Sequence, residues 1–234
     1  MEVVPTVWRG LVLLHRRLRA HLAQNLMATP TESSQFCLAA IILAAGRSTR
    51  MRRPKMLLPW GDTSVLGHLI GQWRELGAKQ IAVVRAADDA GIESELDRLG
   101  FERANCILNP TPETGMSSSI QCAARWDGWG PAITHLAIVL GDQPHLRSDT
   151  IRALLTFSAA HPEQVCQLSS KGHGRHPVLL PRPVLSRLAA SREPSLKDFL
   201  RGESVARCEL DAPGLELDID RPEDYEKALA FFRP

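Results

Sequence analysis

The stretch IILAAGRSTRMRRPKMLLPW, Ile41 to Trp60, decides how the chain is read. It opens inside an uninterrupted apolar run, LAAIIL from 38 to 43, and then becomes a loop carrying Arg47, Arg50, Arg52, Arg53 and Lys55. A strand-length run without polar alternation marks a strand covered on both faces, as in parallel sheets. In open α/β sheets, ligands bind outside the carboxyl ends of the strands. The loop from Ala44 to Pro59 leaves the first strand at that edge. Ala44, Ala45 and Gly46 have little or no side chain, so a ligand can come close to the backbone. Arg47, Arg50 and Lys55 supply positive charge beside it. Small residues and cations at a strand end suit a polyphosphate, whose charge backbone N–H groups and cations offset together. The competing reading is a solvated charged loop, and Arg52 and Arg53 fit it equally well. Neither GxxxxGK[ST] nor GxGxxG is present.

Working outward, the pattern alternates. SVLGHLIGQWREL (64–76) sets Val65, Leu66, Leu69, Ile70, Trp73 and Leu76 on one helical stripe. QIAVV (80–84), NCIL (105–108) and THLAIVL (134–140) read as strands, with helices over 92–99 and from Ser117 to Trp126 between them. Serines are expected to cap the second of these helices, and Ser148 the helix that follows GDQP. QVCQL, HPVLL and VARCEL read as further strands, SLKDFL as a short helix and PEDYEKALAFF as the last helix. This is α/β alternation with a mostly parallel sheet covered on both sides. Residues 37–234 read as one domain, preceded by an N-terminal extension over 1–36. VWRGLVLLHRRLRAHLAQNL in that extension reads as an amphipathic basic helix lying on a membrane or a partner, as a poorly ordered extension, or as sequence from an upstream start codon preceding a true start at Met27.

Composition excludes several classes. Twenty-eight Lys and Arg against 26 Asp and Glu leave a net charge of +2, which gives no case for a nucleic-acid partner. No apolar run approaches the ~20 residues that span a bilayer, so a membrane protein is not expected. Cys37, Cys106, Cys122, Cys166 and Cys208 are an odd, scattered set without CxxC, which suits buried thiols in a reducing cytoplasm. His173, His176 and Cys166 fit no strong zinc spacing, and the two histidines are expected to be polar surface. The tryptophans at 60, 73, 126 and 129 read as packing residues.

Five segments in order resemble one family. LAAGRSTRMRRPKMLLP is similar to the LAAGxSxRMGxPKxLLP signature of the MobA-like NTP-transferase family, which includes molybdenum cofactor cytidylyltransferases. NPTPETGMSSSI resembles its N-x-GMxxS segment and VLGDQPHL its metal-binding GDQP turn. GRHPVLLP resembles its G-x-PVLF segment and LDIDRPEDY its DIDTPEDY ending. The resemblance implies a three-layer Rossmann-like nucleotidyltransferase fold with a mostly parallel mixed sheet. It implies transfer of a nucleoside monophosphate from an NTP to a phosphate-bearing acceptor, with release of pyrophosphate.

The same resemblance assigns roles. Leu43, Ala44, Ala45 and Gly46 would hold base and ribose through backbone groups, with Asn109 and Ser117 to Ser119 contacting base or sugar. Arg50 and Lys55 would bind the triphosphate, and Asp142 and Asp220 would hold Mg²⁺, with Asp218 in reserve. Within the family LAAG accompanies cytidylyl transfer, so Ala45 favours CTP. Molybdopterin cofactor is the first-choice acceptor, and a molybdoenzyme or its chaperone is the expected partner. The alternatives are transfer to a sugar or alcohol phosphate, or a catalytically weak accessory protein that delivers nucleotide or cofactor. Three departures keep them open: Arg52 and Arg175 replace glycines, and REPSLKDFL stands where the family has GDxGAR.

Overall fold

The structure, a computed structural model, describes residues 36–51 and 53–232. The expectations for the extension before residue 36 and for Arg52 lie outside the described residues. The described residues belong to one compact unit. The apolar run that opens it is β1, Leu38–Leu43. A two-residue hairpin, β2 (Pro59–Trp60) and β3 (Thr63–Ser64), leads into α1, Val65–Glu75. Then come β4 (Gln80–Ala86), α2 (Ala90–Arg98), β5 (Cys106–Asn109), α3 (Met116–Arg125), β6 (His135–Leu140) and α4 (Ser148–Ala160). The last part contains β7 (Val165–Ser170), β8 (His173–Pro181), α5 (Arg182–Ala190), α6 (Leu196–Leu200), β9 (Val205–Glu209) and α7 (Pro222–Phe232).

Seven strands form one sheet in the order β5-β4-β1-β6-β8-β7-β9. Only β8 runs against its neighbours, pairing antiparallel with β6 and β7; the other pairs are parallel. The expected mostly parallel mixed sheet is therefore what the chain forms. β1 shows why its sequence carries no polar alternation. Leu38, Ala40 and Ile42 enter one core and Ala39 and Ile41 the other, all nearly or fully buried. Successive side chains point to opposite faces, and both faces are covered, giving three layers. α1, α2, α4 and α7 lie over one face through residues such as Leu66, Trp73, Ile92, Leu154 and Ala228. α3, α5 and α6 cover the other through Ile120, Leu185 and Phe199. Trp60, Trp73 and Trp129 are buried, as packing residues should be.

Three local expectations need correction. Ser148 is the first residue of α4, not its cap; Arg147 precedes the helix and makes no capping bond. The burial of Leu146, whose carbonyl accepts from Gln72 Nε2 at 2.7 Å, sets where the chain turns into this helix. α3 likewise starts at Met116 after Gly115, before the three serines. Gly115 has φ +100°, a conformation that suits glycine. The third concerns His176, which lies in β8 instead of on polar surface, with Nε2 shut away and unpartnered. His173 is exposed as expected.

Desolvation holds the imidazoles of His68, His135, His145 and His176 neutral; burial pushes all four below the usual histidine range, His176 to about 4. The sign follows from linkage. Below the ordinary histidine value near ~6.5 the unfolded chain takes up protons that the folded chain refuses, so stability falls as pH drops. This contribution is complete above that value and is lost down to about pH 4 for His176. Urea midpoints at pH 7.5, 6 and 5 should fall in that order, and His176→Gln should fall less steeply than wild type. Midpoints that stay level would mean the histidines are protonated in the fold.

Candidate active site

β1 is the strand at which the sheet changes direction of growth, with β4 on one side and β6 on the other. Parallel β1 and β6 end level with one another, Leu43 opposite Leu140. The basic loop and the loop carrying Asp142 therefore leave the sheet side by side. Ala44 N–H donates to the Val84 carbonyl at 2.8 Å, which holds the start of the basic loop on the sheet for one more residue. Gly141 lets the two loops meet. A Cβ there would stand 2.4 Å from Met56 Sδ and 2.9 Å from the Leu43 carbonyl oxygen, so a larger residue would force them apart.

The basic loop then folds on itself. Ser48, at φ 47°, accepts on Oγ from the Lys55 backbone N–H at 3.1 Å, and its carbonyl accepts from Met51 N–H. This returns Lys55 over the sheet edge. Its Nζ lies 3.0 Å from Asp142 Oδ2, 4.0 Å from Asp220 Oδ1 and 3.4 Å from the Ile219 carbonyl. Arg50 donates to Asp220 Oδ2 at 2.5 Å. The segment 218–220 is fixed to the Asp142 loop by Ile219 N–H donating to the Asp142 carbonyl at 3.0 Å and by Gln143 Nε2 donating to Asp218 Oδ1 at 2.8 Å. His145 closes the far side, sharing a hydrogen bond of 2.9 Å between Nε2 and the Gly214 carbonyl. The expected residues Arg50, Lys55, Asp142 and Asp220 are thus brought together, although 170 positions separate Arg50 from Asp220. Asp220 stands two residues before α7, and its carboxylate is engaged with the cations.

Beside this cluster lies a cleft of 210 Å³. Leu43, Ala44, Ala45, Gly46, Lys55 and Asp142 line one side; Gly115, Met116 and Ser119 line the other. Space around Gly46 is open, with nothing within 4 Å of where a Cβ would stand. Asn109 and Ser117 do not line the cleft. Asn109 is fully buried and donates through Nδ2 to Ser118 and Ser119 Oγ at 2.8 and 2.9 Å, so it positions Ser119. Ser117 turns its hydroxyl to the Pro194 carbonyl, 2.9 Å away. Of the other loop cations, Arg47 reaches Asp88 at 3.6 Å and Arg53 is exposed. Arg175 pairs with Glu216 at 3.5 Å. Met116 and His145 are the residues that sequence reasoning left without a role at the site, whereas Ser119, one of the three serines expected at base or sugar, does line the cleft. A one-turn spacing from Met116 to Ser119 was the available signal for the first of them.

The cluster also has a metal-like face. Asp142 Oδ1 is buried with no hydrogen-bond partner, while Oδ2 meets Lys55. Carboxylate oxygens are hard donors suited to a hard divalent cation. Among the described residues no group of three or more His, Cys, Asp or Glu forms a closed metal cage. One or two carboxylates, with the rest supplied by water and phosphate, is how Mg²⁺ sits with nucleotides.

Comparison with known proteins identifies the family. The family described as the MobA-like NTP transferase domain matches residues 40–208. The molybdenum cofactor cytidylyltransferase of Escherichia coli K12 is 28% identical over 193 residues, 79% of this chain and 92% of that protein. The bifunctional protein GlmU of Clavibacter sepedonicus is 31% identical over 121 residues, 51% of this chain. That match spans only 24% of the GlmU length. Rv0371c from Mycobacterium tuberculosis H37Rv shares the fold, with a TM-score of 0.66, 24% identity and coverage of 83% of this chain and 98% of that one. It has also been solved in complex with manganese. With the family matched over most of its length, and β1 to β9 arranged as described, the chain belongs to the MobA-like NTP transferase family.

Proposed function

We propose that the protein is a metal-dependent nucleotidyltransferase that moves CMP from CTP onto a phosphate-bearing acceptor such as molybdopterin cofactor, releasing pyrophosphate. The observation that carries this reading is the meeting of Arg50 and Lys55 with Asp142 and Asp220 at the edge of a cleft floored by Ala44, Ala45 and Gly46. Cations there would meet a triphosphate, and the carboxylates would meet the metal that travels with it. Asp142 and Asp220 would hold Mg²⁺, which when bound offsets charge on the triphosphate and on departing pyrophosphate.

Everything else is positioning by the chain itself. The backbone of Leu43 to Gly46 offers groups to base and ribose without side chains in the way, and Ser119 faces them across the cleft. Arg50 and Lys55 exchange their carboxylate partners for triphosphate oxygens. The acceptor phosphate oxygen attacks the α-phosphorus in line, forming one P–O bond as the bond to the β-phosphate oxygen breaks. The electron pair leaves with pyrophosphate. A phosphate dianion has no proton to lose from its attacking oxygen, so positioning and charge carry the reaction.

CTP is supported by Ala45, which forms part of the cleft wall and is 5% exposed, and by the E. coli relative, a molybdenum cofactor cytidylyltransferase. A divalent metal is supported by the unpartnered Asp142 oxygen and by the manganese complex of a protein with the same fold. Five free cysteines fit a reducing cytoplasm, and among the described residues no helix is long and apolar enough to cross a membrane. We also assign the transferase domain to 37–234 and treat 1–36 as dispensable. A molybdoenzyme or its chaperone is the partner this activity would serve.

Three outcomes follow. Asp142→Asn should lower kcat by about a hundredfold or more in a pyrophosphate-release assay with CTP, Mg²⁺ and molybdenum cofactor, while circular dichroism stays native. Full turnover would remove this carboxylate from the mechanism. Lys55→Met should bind Mn²⁺ alone about tenfold tighter, because the carboxylate loses its competing cation, and CTP more weakly with less salt dependence. Titration calorimetry reads both, and unchanged affinities would contradict the exchange of partners. A chain truncated to begin at Met27 should retain full turnover; loss of activity would give the extension a role.

A further inference from the structure

A small cavity of 10 Å³ is enclosed by α1, the end of β6 and the turn that carries Gln143 and Leu146. Leu140 borders both this cavity and the cleft. Space of this size admits one water molecule, which needs roughly 10–15 Å³ by the same measure. Leu69, Leu146 and Ile151 supply apolar wall, and Gln72, Trp73 and Gln143 supply polar groups. Trp73 is fully buried, and Gln72 and Gln143 are each 6% exposed, so bulk solvent does not serve these groups.

Three buried atoms of those side chains have no hydrogen-bond partner among the described residues: Gln72 Oε1, Trp73 Nε1 and Gln143 Oε1. Their chemistry is complementary. Gln72 Nε2 donates to the Leu146 carbonyl at 2.7 Å, and Gln143 Nε2 donates to Asp218 Oδ1 at 2.8 Å. A carbonyl and an ionised carboxylate only accept, so neither amide can turn over, and both Oε1 atoms remain acceptors. The Trp73 indole can only donate. One water that accepts from Trp73 Nε1 and donates to the two Oε1 atoms satisfies all three, and three bonds is the usual number for a buried water. Left unmade, each bond would carry the full cost of a desolvated polar group.

We propose that this cavity binds one structural water, and that through it Gln72 and Trp73 act as positioning residues for the Asp142 and Asp220 carboxylates. The positioning role rests on the metal-dependent reading above; the water site does not. The path is short. The water fixes the Gln143 amide, whose Nε2 holds Asp218. Asp218 begins the segment that carries Asp220, and Ile219 N–H in that segment donates to the Asp142 carbonyl at 3.0 Å. Gln72 thus grips the turn twice, directly at the Leu146 carbonyl and through water at Gln143. Groups that orient metal ligands tune affinity for the metal without touching it.

The test has two arms. In a crystal structure of the full chain at atomic resolution, an ordered water should lie within hydrogen-bond distance of Gln72 Oε1, Trp73 Nε1 and Gln143 Oε1. A dry cavity, or amides turned so that they satisfy one another without water, overturns the site. The second arm reads the positioning role with Mn²⁺ alone, titrated into the full chain by calorimetry. Trp73→Phe keeps a ring and removes the donor. It should bind Mn²⁺ about fivefold more weakly than wild type, less than the roughly tenfold or more expected for a group bonded directly to a metal ligand. In a Gln143→Ala background the same substitution should change Mn²⁺ affinity no further, because the two act through one water. A lower melting temperature in both backgrounds with unchanged Mn²⁺ affinity overturns the positioning role. Wild type that does not bind Mn²⁺ overturns the metal reading and the positioning role with it, and the electron density then decides the water site alone.

Discussion

The alignment of two neighbouring parallel strands is the constraint on which the rest depends. Leu43 and Leu140 end level, so the loops that follow share one edge of the sheet. The chain needs no long-range instruction to bring Lys55 to Asp142 beyond the apolar runs that make β1 and β6 adjacent. Their burial on two faces fixes that adjacency, since a shift by one residue would send Ile41 and Ile42 to the opposite cores. Gly141 completes the arrangement by leaving room for Met56 under the turn.

The charges meeting there serve two purposes. Without ligand, Lys55 is 16% and Asp142 22% exposed in their side chains, and each screens the other. A lone charge so shielded would cost several kcal/mol, which is why such groups appear in pairs. The pairing stays exchangeable because Arg50 and Asp220, at the outer rim, keep 69% and 42% of their side-chain surface. Water reaches them and weakens their attraction. An inner pair held firmly and an outer pair held loosely suits the proposed exchange of carboxylate partners for triphosphate oxygens.

Much of this was legible in the residues. The unbroken apolar runs announced doubly covered strands, and the cations after LAAIIL stood where the sheet was expected to bind anions. The family resemblance placed Asp142 and Asp220. What stayed hidden depended on tertiary approach. Ser148 has the chemistry of a cap, but burial of Leu146 set the turn one residue earlier. Ser117 looked as suitable as Ser119, but Ser117 turns to the Pro194 carbonyl while Ser119, bonded to buried Asn109, lines the cleft.

A crystal structure of the full chain with CTP and Mn²⁺, phased to locate manganese by its anomalous signal, tests the central claim most directly. The metal should sit on the Asp142 and Asp220 carboxylates, with the triphosphate against Arg50 and Lys55 and the base between Ala44–Gly46 and Ser119. Manganese bound away from Asp142, or a triphosphate lying outside the reach of Lys55, would contradict the account.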